Sequence, residues 1–348
     1  MSSNQIVLDI GDTFVKLAKI SVSSDHIVAD TLAYERVPLN VYINDSDDAA
    51  NKLAVLIKQM VKDTKISARD AAIVIPDSRS YTRILEMPTL TEKELISAIR
   101  YQAEQYIPIP IDKAALDLQM LTEDKKNKKT AVLLVATAKT IIEKITGIVE
   151  HADLLPVSIT NESSALFTFI SHVAHTQKAN PAAAPSLELY LNLGSASTSL
   201  ALYDVAQGIP LQTHSFMVGM EIFLKEIKSN FNISDEEAEK MLAQVGLTGQ
   251  PAPVPIQNVL SAAYNELAAD VSKFVISSKQ KYSVPISKLA IIGEGCHFAG
   301  LDARLASTVG IPVVCFSPAP FMQNNQVIEY FKKDLGLFIP AIGAGLPI

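Results

Sequence analysis

Two stretches far apart in the chain share one pattern, and that repetition constrains the fold more than any other feature. Ile6 to Ile20, IVLDIGDTFVKLAKI, is an apolar strand that runs into Asp9-Ile10-Gly11 and leaves in a second apolar strand. Leu189 to Tyr203, LYLNLGSASTSLALY, sets Asn192 against Asp9, Gly194 against Gly11, Ser195 against Asp12 and Leu200 against Leu17. A Gly turn lets backbone amides approach an anion, and hydroxylated neighbours such as Thr13 and Thr198 add donors. One such turn between strands is ordinary β-structure. Two in matching register, with a third Gly turn at Gly293-Glu294-Gly295 after another apolar strand, predict hairpins that close on a phosphate chain from both sides. Asp9 stands at a strand end, where a carboxylate holds a magnesium ion through water, and Lys16 offsets phosphate charge.

At 348 residues the chain is too long for one compact core and predicts two domains or more. With 48% hydrophobic residues a large core is available. A net charge of −7 argues against nucleic-acid binding, because a phosphate-binding face needs clustered Lys and Arg, and the one basic run is Lys125 to Lys129. Cys296 and Cys315 are the only cysteines, which reads as a reduced, cytosolic chain and excludes a cysteine zinc site. Cys296 beside His297 has no third ligand nearby and reads as packing. The polar start MSSNQ leads straight into a strand, so no signal peptide is expected. No apolar run approaches the roughly 18 to 20 residues of a membrane span. The six histidines show no spacing suited to a nucleophilic triad.

In chain order, the first hairpin is followed by a strand over Ile27 to Val37, a helix over Ala49 to Asp63 with apolar residues at helical spacing, and a buried strand Ala71 to Ile75. This order belongs to an α/β layered domain. Residues 81 to 155 change character. A strand Tyr81 to Met87 precedes a capping box, Thr91 with Glu94, and a helix with Leu95, Ile99, Ala103 and Tyr106 on one face. Strands Ala115 to Leu121 and Ala131 to Thr137 flank the charged turn TEDKKNKK, a solvated tip, and a helix runs from about Thr140 to His151. The block interrupts the first domain, since Pro156 to Ile159 and a helix through Asn161 to Ala174 resume the α/β pattern. Gln177 to Ser186, QKANPAAAPS, is the linker. After the second hairpin come a strand over His214 to Val218, a helix Ile222 to Phe231, and a helix opened by the capping box Ser234 with Glu237 and stopped by Gly246. Then follow a Pro-rich loop Gln250 to Pro255, a long helix Val259 to Lys281, a strand Leu289 to Ile292, a helix Leu301 to Thr308, a strand Val313 to Phe316 and a short last helix Ala341 to Gly345.

The two hairpins, an acidic connecting helix (Glu162) and a strand followed by Gly-x-Gly and a helix resemble the actin-like ATPase superfamily. Within it the chain is similar to the PilM family of type IV pilus assembly proteins, relatives of the cell-division protein FtsA. The narrower match rests on RILEMPTLTEKELISAIRYQAEQYIPIPIDKAALDLQML (83 to 121), ISDEEAE (233 to 239) and IIGEGCHFAGLDARLASTVGIPVVCFSP (291 to 318). The resemblance implies a two-lobed α/β fold of duplicated ribonuclease H-like domains. Residues 1–80 and 156–180 would form the first lobe, 81–155 the inserted SHS2-like subdomain shared with FtsA, and 181–348 the second lobe, with its outer part at about 220–285. It also implies ATP and magnesium in the cleft, held by Asp9, Gly11, Asp12, Thr13, Lys16, Asn192, Gly194, Ser195, Thr198, Gly219, Glu239, Gly293, Glu294 and Gly295. Glu162 would face a catalytic water; from the residues alone it is an acid favoured at a helix N-terminus. The implied partner is the cytoplasmic N-terminal tail of a PilN-like bitopic inner-membrane protein, with other pilus assembly components. The expected location is the cytoplasmic face of the inner membrane. Self-association is left open.

Four positions depart from that pattern. Asn192 stands where the second hairpin carries Asp, Gly219-Met220 where Gly-Gly is expected, Leu242 where a Lys follows Glu239, and Glu294 at the middle Gly of the adenosine turn. Asn192 cannot supply negative charge, and Glu294 crowds or repels a nucleotide, so little or no hydrolysis follows more readily than lost binding. The competing readings are a sugar- or acetate-kinase-like phosphotransferase and a filament-forming ATPase like FtsA or MreB.

Overall fold

The computed structural model describes residues 5–23, 26–91, 94, 95, 97–99, 105, 107–124, 127–176, 186–248 and 256–347. Strand β1 (Gln5–Ile10) turns back as β2 (Phe14–Ser23), which turns again into β3 (His26–Arg36). Helix α1 (Asp47–Asp63) then crosses to β4 (Asp70–Ile75), which lies parallel to β1. The chain leaves this sheet for β5 (Ser80–Pro88), β6 (Ala114–Asp124) and β7 (Lys129–Ala138), and returns through α2 (Lys139–His151) to β8 (Leu155–Asn161), parallel to β4. Helix α3 (Glu162–Thr176) follows.

The second half repeats this topology. Strands β9 (Leu187–Leu193), β10 (Thr198–Asp204) and β11 (Ile209–Phe216) form the antiparallel part. Helices α4 (Met220–Phe231), α5 (Asp235–Gln244) and α6 (Ile256–Lys281) lead to β12 (Ile286–Gly293), and α7 (Leu301–Val309) leads to β13 (Val313–Cys315). Short helices α8 (Gln326–Tyr330) and α9 (Ile339–Ala344) close the chain. The strand orders are β3-β2-β1-β4-β8 and β11-β10-β9-β12-β13, the same arrangement twice. The strand expected at His214 to Val218 instead occupies Ile209–Phe216, because tight pairing with β10 sets Asp204 opposite Ile209.

Period-two alternation decides what each strand presents to each side. In β1, Ile6, Leu8 and Ile10 enter the core under α1, with Leu53 and Ile57, whereas Val7 enters a core shared by the two lobes. In β9, Leu189, Leu191 and Leu193 face the helices of lobe two, and Tyr190 joins the shared core. Asp9 and Asn192 have the parity of Val7 and Tyr190, so both lie on the faces that the lobes turn toward each other. Strand β12 follows suit, with Ala290 and Ile292 in the shared core, and Glu294 is next on that parity. Burying a side chain such as Leu53 contributes roughly 1.5–3 kcal/mol, so the apolar majority of each strand pins the register that places its few polar residues.

The inserted block forms a separate antiparallel sheet, β5-β7-β6, with its own core of Leu85, Met87, Leu95, Ile99, Val132 and Leu134. The expected capping box is present: the Thr91 amide donates to Glu94 Oε2 at 2.9 Å and the Glu94 amide to Thr91 Oγ1 at 3.4 Å. Ala103, Glu104 and Tyr106 lie outside the described residues, as do residues 177–185 of the linker, 250–255 of the Pro-rich loop, and Lys125 and Lys126 of the charged turn. Helix α2, which ends the block, sends Ile145, Ile148 and Val149 into the core of lobe one beside α1. Both lobes grip the insert. Asn161 Nδ2 donates to Ser80 Oγ and Thr82 Oγ1 at 2.8 and 2.7 Å, while Thr213 of lobe two donates to the Thr82 carbonyl at 3.3 Å. Lys281, at the end of α6, lies 3.5 Å from Glu86.

Candidate functional site

The hairpins of the two lobes meet. The Thr13 hydroxyl donates to the Ser195 hydroxyl at 2.7 Å, joining turns that lie 182 positions apart in sequence. Each turn is closed in the same way, by the Gly11 amide on the Phe14 carbonyl at 2.9 Å and the Gly194 amide on the Ser197 carbonyl at 3.0 Å. Behind the second turn, the first amides of α4 are already used, since Met220 and Glu221 donate to the Gly194 and Ser195 carbonyls. Gly219 permits that approach: a Cβ there would lie 2.1 Å from the Ser195 carbonyl oxygen.

Asp9 and Lys16 are a cross-strand pair in the β1–β2 register, and Lys16 Nζ donates to Asp9 Oδ2 at 2.8 Å with both side chains buried. Burial disfavours the ammonium, but Asp9 and then Glu162 outweigh it and hold the Lys16 pKa above its usual value. The other carboxylate oxygen, Asp9 Oδ1, is buried with no hydrogen-bond partner. An unpaired buried carboxylate oxygen is costly, and a metal-bound water is a group that would satisfy it.

A second pair of acids is coupled to this one, a buried Asp77 and a half-buried Glu162. Asp77, just past β4, accepts from Asn161 Nδ2 at 3.1 Å, from the Ser163 amide at 3.0 Å and from Ser163 Oγ at 2.7 Å. Glu162 accepts from the Asp77 amide at 3.1 Å. Burial, then the Asp77 and Asp9 charges, raises the Glu162 pKa well above the carboxylate range. Burial raises Asp77 as well, but its three donors oppose the shift more than the single donor on Glu162 does. These surroundings favour the protonated form of Glu162, which cannot take a proton from water.

Glu294, at the middle of the third Gly turn, faces the junction of the hairpins. It lines a small cavity of about 20 Å³ beside the hairpins, with Gly11, Asp12, Lys16, Glu162 and Gly194. It also lines an apolar cavity of about 160 Å³ with Phe14, Tyr34, Glu239, Leu242 and His297. Burial pushes its carboxyl up to about 7, opposed by Lys16 and reinforced by Glu239 and Asp12. Gly293 adopts φ +71°, and a Cβ there would lie 2.4 Å from Asn192 Oδ1, so the Gly293–Gly295 turn and the second hairpin are packed against each other. Gly295 is buried, against Leu193 and Ile291.

Most of the residues singled out from sequence converge here, but three are already engaged by other protein groups. The buried Thr198 hydroxyl donates to the Val218 carbonyl at 2.5 Å and does not line the cavity. Asp12 is held by Arg79 at 2.9 Å, by Asn40 at 2.9 Å and by Ser78 at 3.2 Å. Glu239 is ion-paired with Arg36, whose guanidinium lies 5.2 Å over the Phe14 ring. Sequence reading missed Arg36, Arg79 and Asp77. Asp77 carries a local signal, a carboxylate just past the buried strand AAIVIP. The two arginines carry none, because their partners come from other elements.

A family model for type IV pilus assembly protein PilM matches residues 7–346. Among solved structures, a chain of a PilM-PilN type IV pilus biogenesis complex superposes with a TM-score of 0.84 at 20% identity, covering 100% of both chains. Ethanolamine utilization protein EutJ from Carboxydothermus hydrogenoformans gives 0.54 at 12% identity, over 98% of this chain and 88% of that one. MreB5 of Spiroplasma citri bound to ADP gives 0.51 at 13% identity, over 97% and 94%. These likenesses show an actin-like ATPase fold, as the duplicated hairpins imply.

Proposed function

Because this chain belongs to the family of type IV pilus assembly protein PilM, we propose that it is an ATP-binding scaffold that hydrolyses little or no nucleotide and holds the cytoplasmic tail of a PilN-like inner-membrane protein. The observation that carries the nucleotide reading is the unpaired Asp9 Oδ1 beside the buried Lys16, at the junction of two equivalent Gly turns. The residues fit a magnesium nucleotide on three counts. Asp9 Oδ1 would accept from a metal-bound water, Lys16 would face the phosphates, and the apolar cavity would take the base against Phe14 and Leu242. Magnesium, when bound, neutralises phosphate charge that this acidic cleft would otherwise repel.

Entry of a phosphate chain requires movement, because about 20 Å³ between the hairpins accommodates little more than one water. The Thr13–Ser195 hydrogen bond must part, and Glu239 must leave Arg36 to reach ribose hydroxyls. Hydrolysis is disfavoured by two features of this chain. The surroundings of Glu162 favour its protonated form, which does not activate water, and Asn192 adds no charge to hold the metal. A kinase would need a catalytic carboxylate facing an acceptor pocket, and Asn192 together with the inserted block weighs against one. Mg-ATP is therefore expected to raise the melting temperature by linkage while phosphate release stays at background. No ATP binding by calorimetry would leave a nucleotide-free scaffold. If replacing Asn192 by Asp together with Glu294 by Gly changed neither affinity nor turnover, these two residues would not be what limits nucleotide use in the cleft.

For the partner, the solved PilM-PilN complex supports a PilN-like tail as the ligand. We place it in the open groove of about 540 Å³ between the inserted sheet and the start of α2, lined by Ile111, Asp112, Ala114, Ala115, Leu116 and Lys139. The grip of both lobes on the insert is the route by which the cleft would bias that groove. Among the described residues no helix is long and apolar enough to cross a membrane, so this partner would bring the chain to the membrane's inner face. A pull-down with the tail of the neighbouring bitopic protein tests this. Capture that is lost in Leu116→Asp supports the groove, and no capture with or without ATP sinks the scaffold reading.

A further inference from the structure

The only two cysteines of the chain, 19 positions apart, come together behind the turn that lines the cleft. Cys296 belongs to the short helical turn Glu294–His297, and Cys315 ends β13. Cys315 Sγ lies 3.8 Å from the Cys296 carbonyl oxygen. The β12–β13 ladder sets this meeting, since Cys315 pairs with Ile291 and the Cys296 thiol sits 3.2 Å from the Ile291 carbonyl. Their exposures differ: Cys315 is exposed and Cys296 is half-buried, with Gly336 packed against its sulfur. Neither thiol takes part in the function proposed above.

We infer that Cys296 and Cys315 are a reversible peroxide-driven disulfide pair that clamps the Glu294–His297 turn to β13. The asymmetry assigns the roles. Cys315, reachable by solvent and lowered in pKa by its neighbour Cys296, is the attacking thiolate. Cys296, half-buried with its thiol donating to the Ile291 carbonyl, stays protonated and resolves. In the first step the Cys315 sulfur attacks one oxygen of a hydroperoxide. The O–O bond breaks, the sulfur is oxidised to a sulfenic acid, and the peroxide is reduced, its second oxygen leaving as water or alcohol after taking a proton. In the second step the Cys296 sulfur attacks the sulfenic sulfur. An S–S bond forms, the S–O bond breaks, and the Cys296 proton leaves with that oxygen as water. A dithiol reductant reverses the result. Residue 294 lines both cavities and lies two positions before Cys296, so the bond stiffens the wall that faces a ligand. That last consequence rests on the nucleotide reading; the cross-link does not.

The full chain treated with stoichiometric hydrogen peroxide tests the pair without any nucleotide. Trypsin separates the cysteines at Arg304, so the expected product is one cross-linked peptide pair, an intact mass lower by two hydrogens, and recovery with dithiothreitol. Cys296→Ser should stop at a sulfenic acid trapped by dimedone, and Cys315→Ser should leave Cys296 unmodified. Amide exchange at Gly293 to Phe298 should slow in the oxidised protein and return on reduction. Independent over-oxidation of the two thiols, or intermolecular dimers through Cys315 alone, would overturn the pairing. An intramolecular bond that leaves exchange of the turn unchanged would overturn the clamp.

Discussion

Glu294 is the residue on which the character of the cleft turns. Burial raises its carboxyl to about 7 from a usual 4.5, so the folded chain holds a proton that the unfolded chain has released between those values. The folded state then binds more protons across that window, and stability falls as pH rises through it and stays low above. Glu294→Gln removes this titration. Its unfolding free energy should match or trail wild type near pH about 5 and exceed it near pH about 8 by on the order of 1–3 kcal/mol, a figure limited by partial exposure. Urea denaturation of both proteins at the two pH values checks it; parallel slopes would show that Glu294 is ionised throughout. This residue was legible in sequence as an interruption of the Gly turn. That it would reach both cavities was not, because that depends on where β12 meets the hairpins of both lobes.

At the scale of elements, local pattern and observed structure agree best where burial and capping act together. Helix α1 is opened by Ser46, whose hydroxyl accepts from the Ala49 amide at 3.2 Å, and it buries Leu53 and Ile57 under β1. The strand above it carries Asp9, so packing of this helix and geometry of the site are linked. Leu53→Ala should cost roughly 2–5 kcal/mol in chemical denaturation and weaken Mg-ATP binding along with it. A stability loss with unchanged affinity would mean that β1 keeps its register without α1. The capping boxes at Thr91 and Ser234 were equally legible, since each needs only residues three apart. The start of β11 was misplaced because its register follows from pairing with β10, which no local window contains.

At the scale of the whole molecule, the lobes are joined at the cleft mouth by the Arg36–Glu239 ion pair and the Thr13–Ser195 hydrogen bond. The ion pair is about half exposed on the Arg36 side, so it contributes less than about 1 kcal/mol to stability, yet it stands across the route of entry. Arg36→Ala should therefore leave the melting temperature almost unchanged while speeding association and release of a fluorescent ATP analogue several-fold by stopped flow. Unchanged rates would show that opening is limited elsewhere. The sequence by itself determined the duplicated strand pattern, the matching register of Asp9 with Asn192 and Gly11 with Gly194, and the loss of a carboxylate in the second hairpin. These are readable because period-two burial and Gly turns are local consequences of side-chain size and backbone freedom. Only the tertiary structure decided that the two hairpins touch, that Arg79 and Arg36 hold Asp12 and Glu239, that Glu162 lies in surroundings that raise its pKa, and that the two cysteines meet. Each depends on distance and burial between segments remote in the chain, and those are set by the packing of two lobes and an insert, not by the spacing of residues along the sequence.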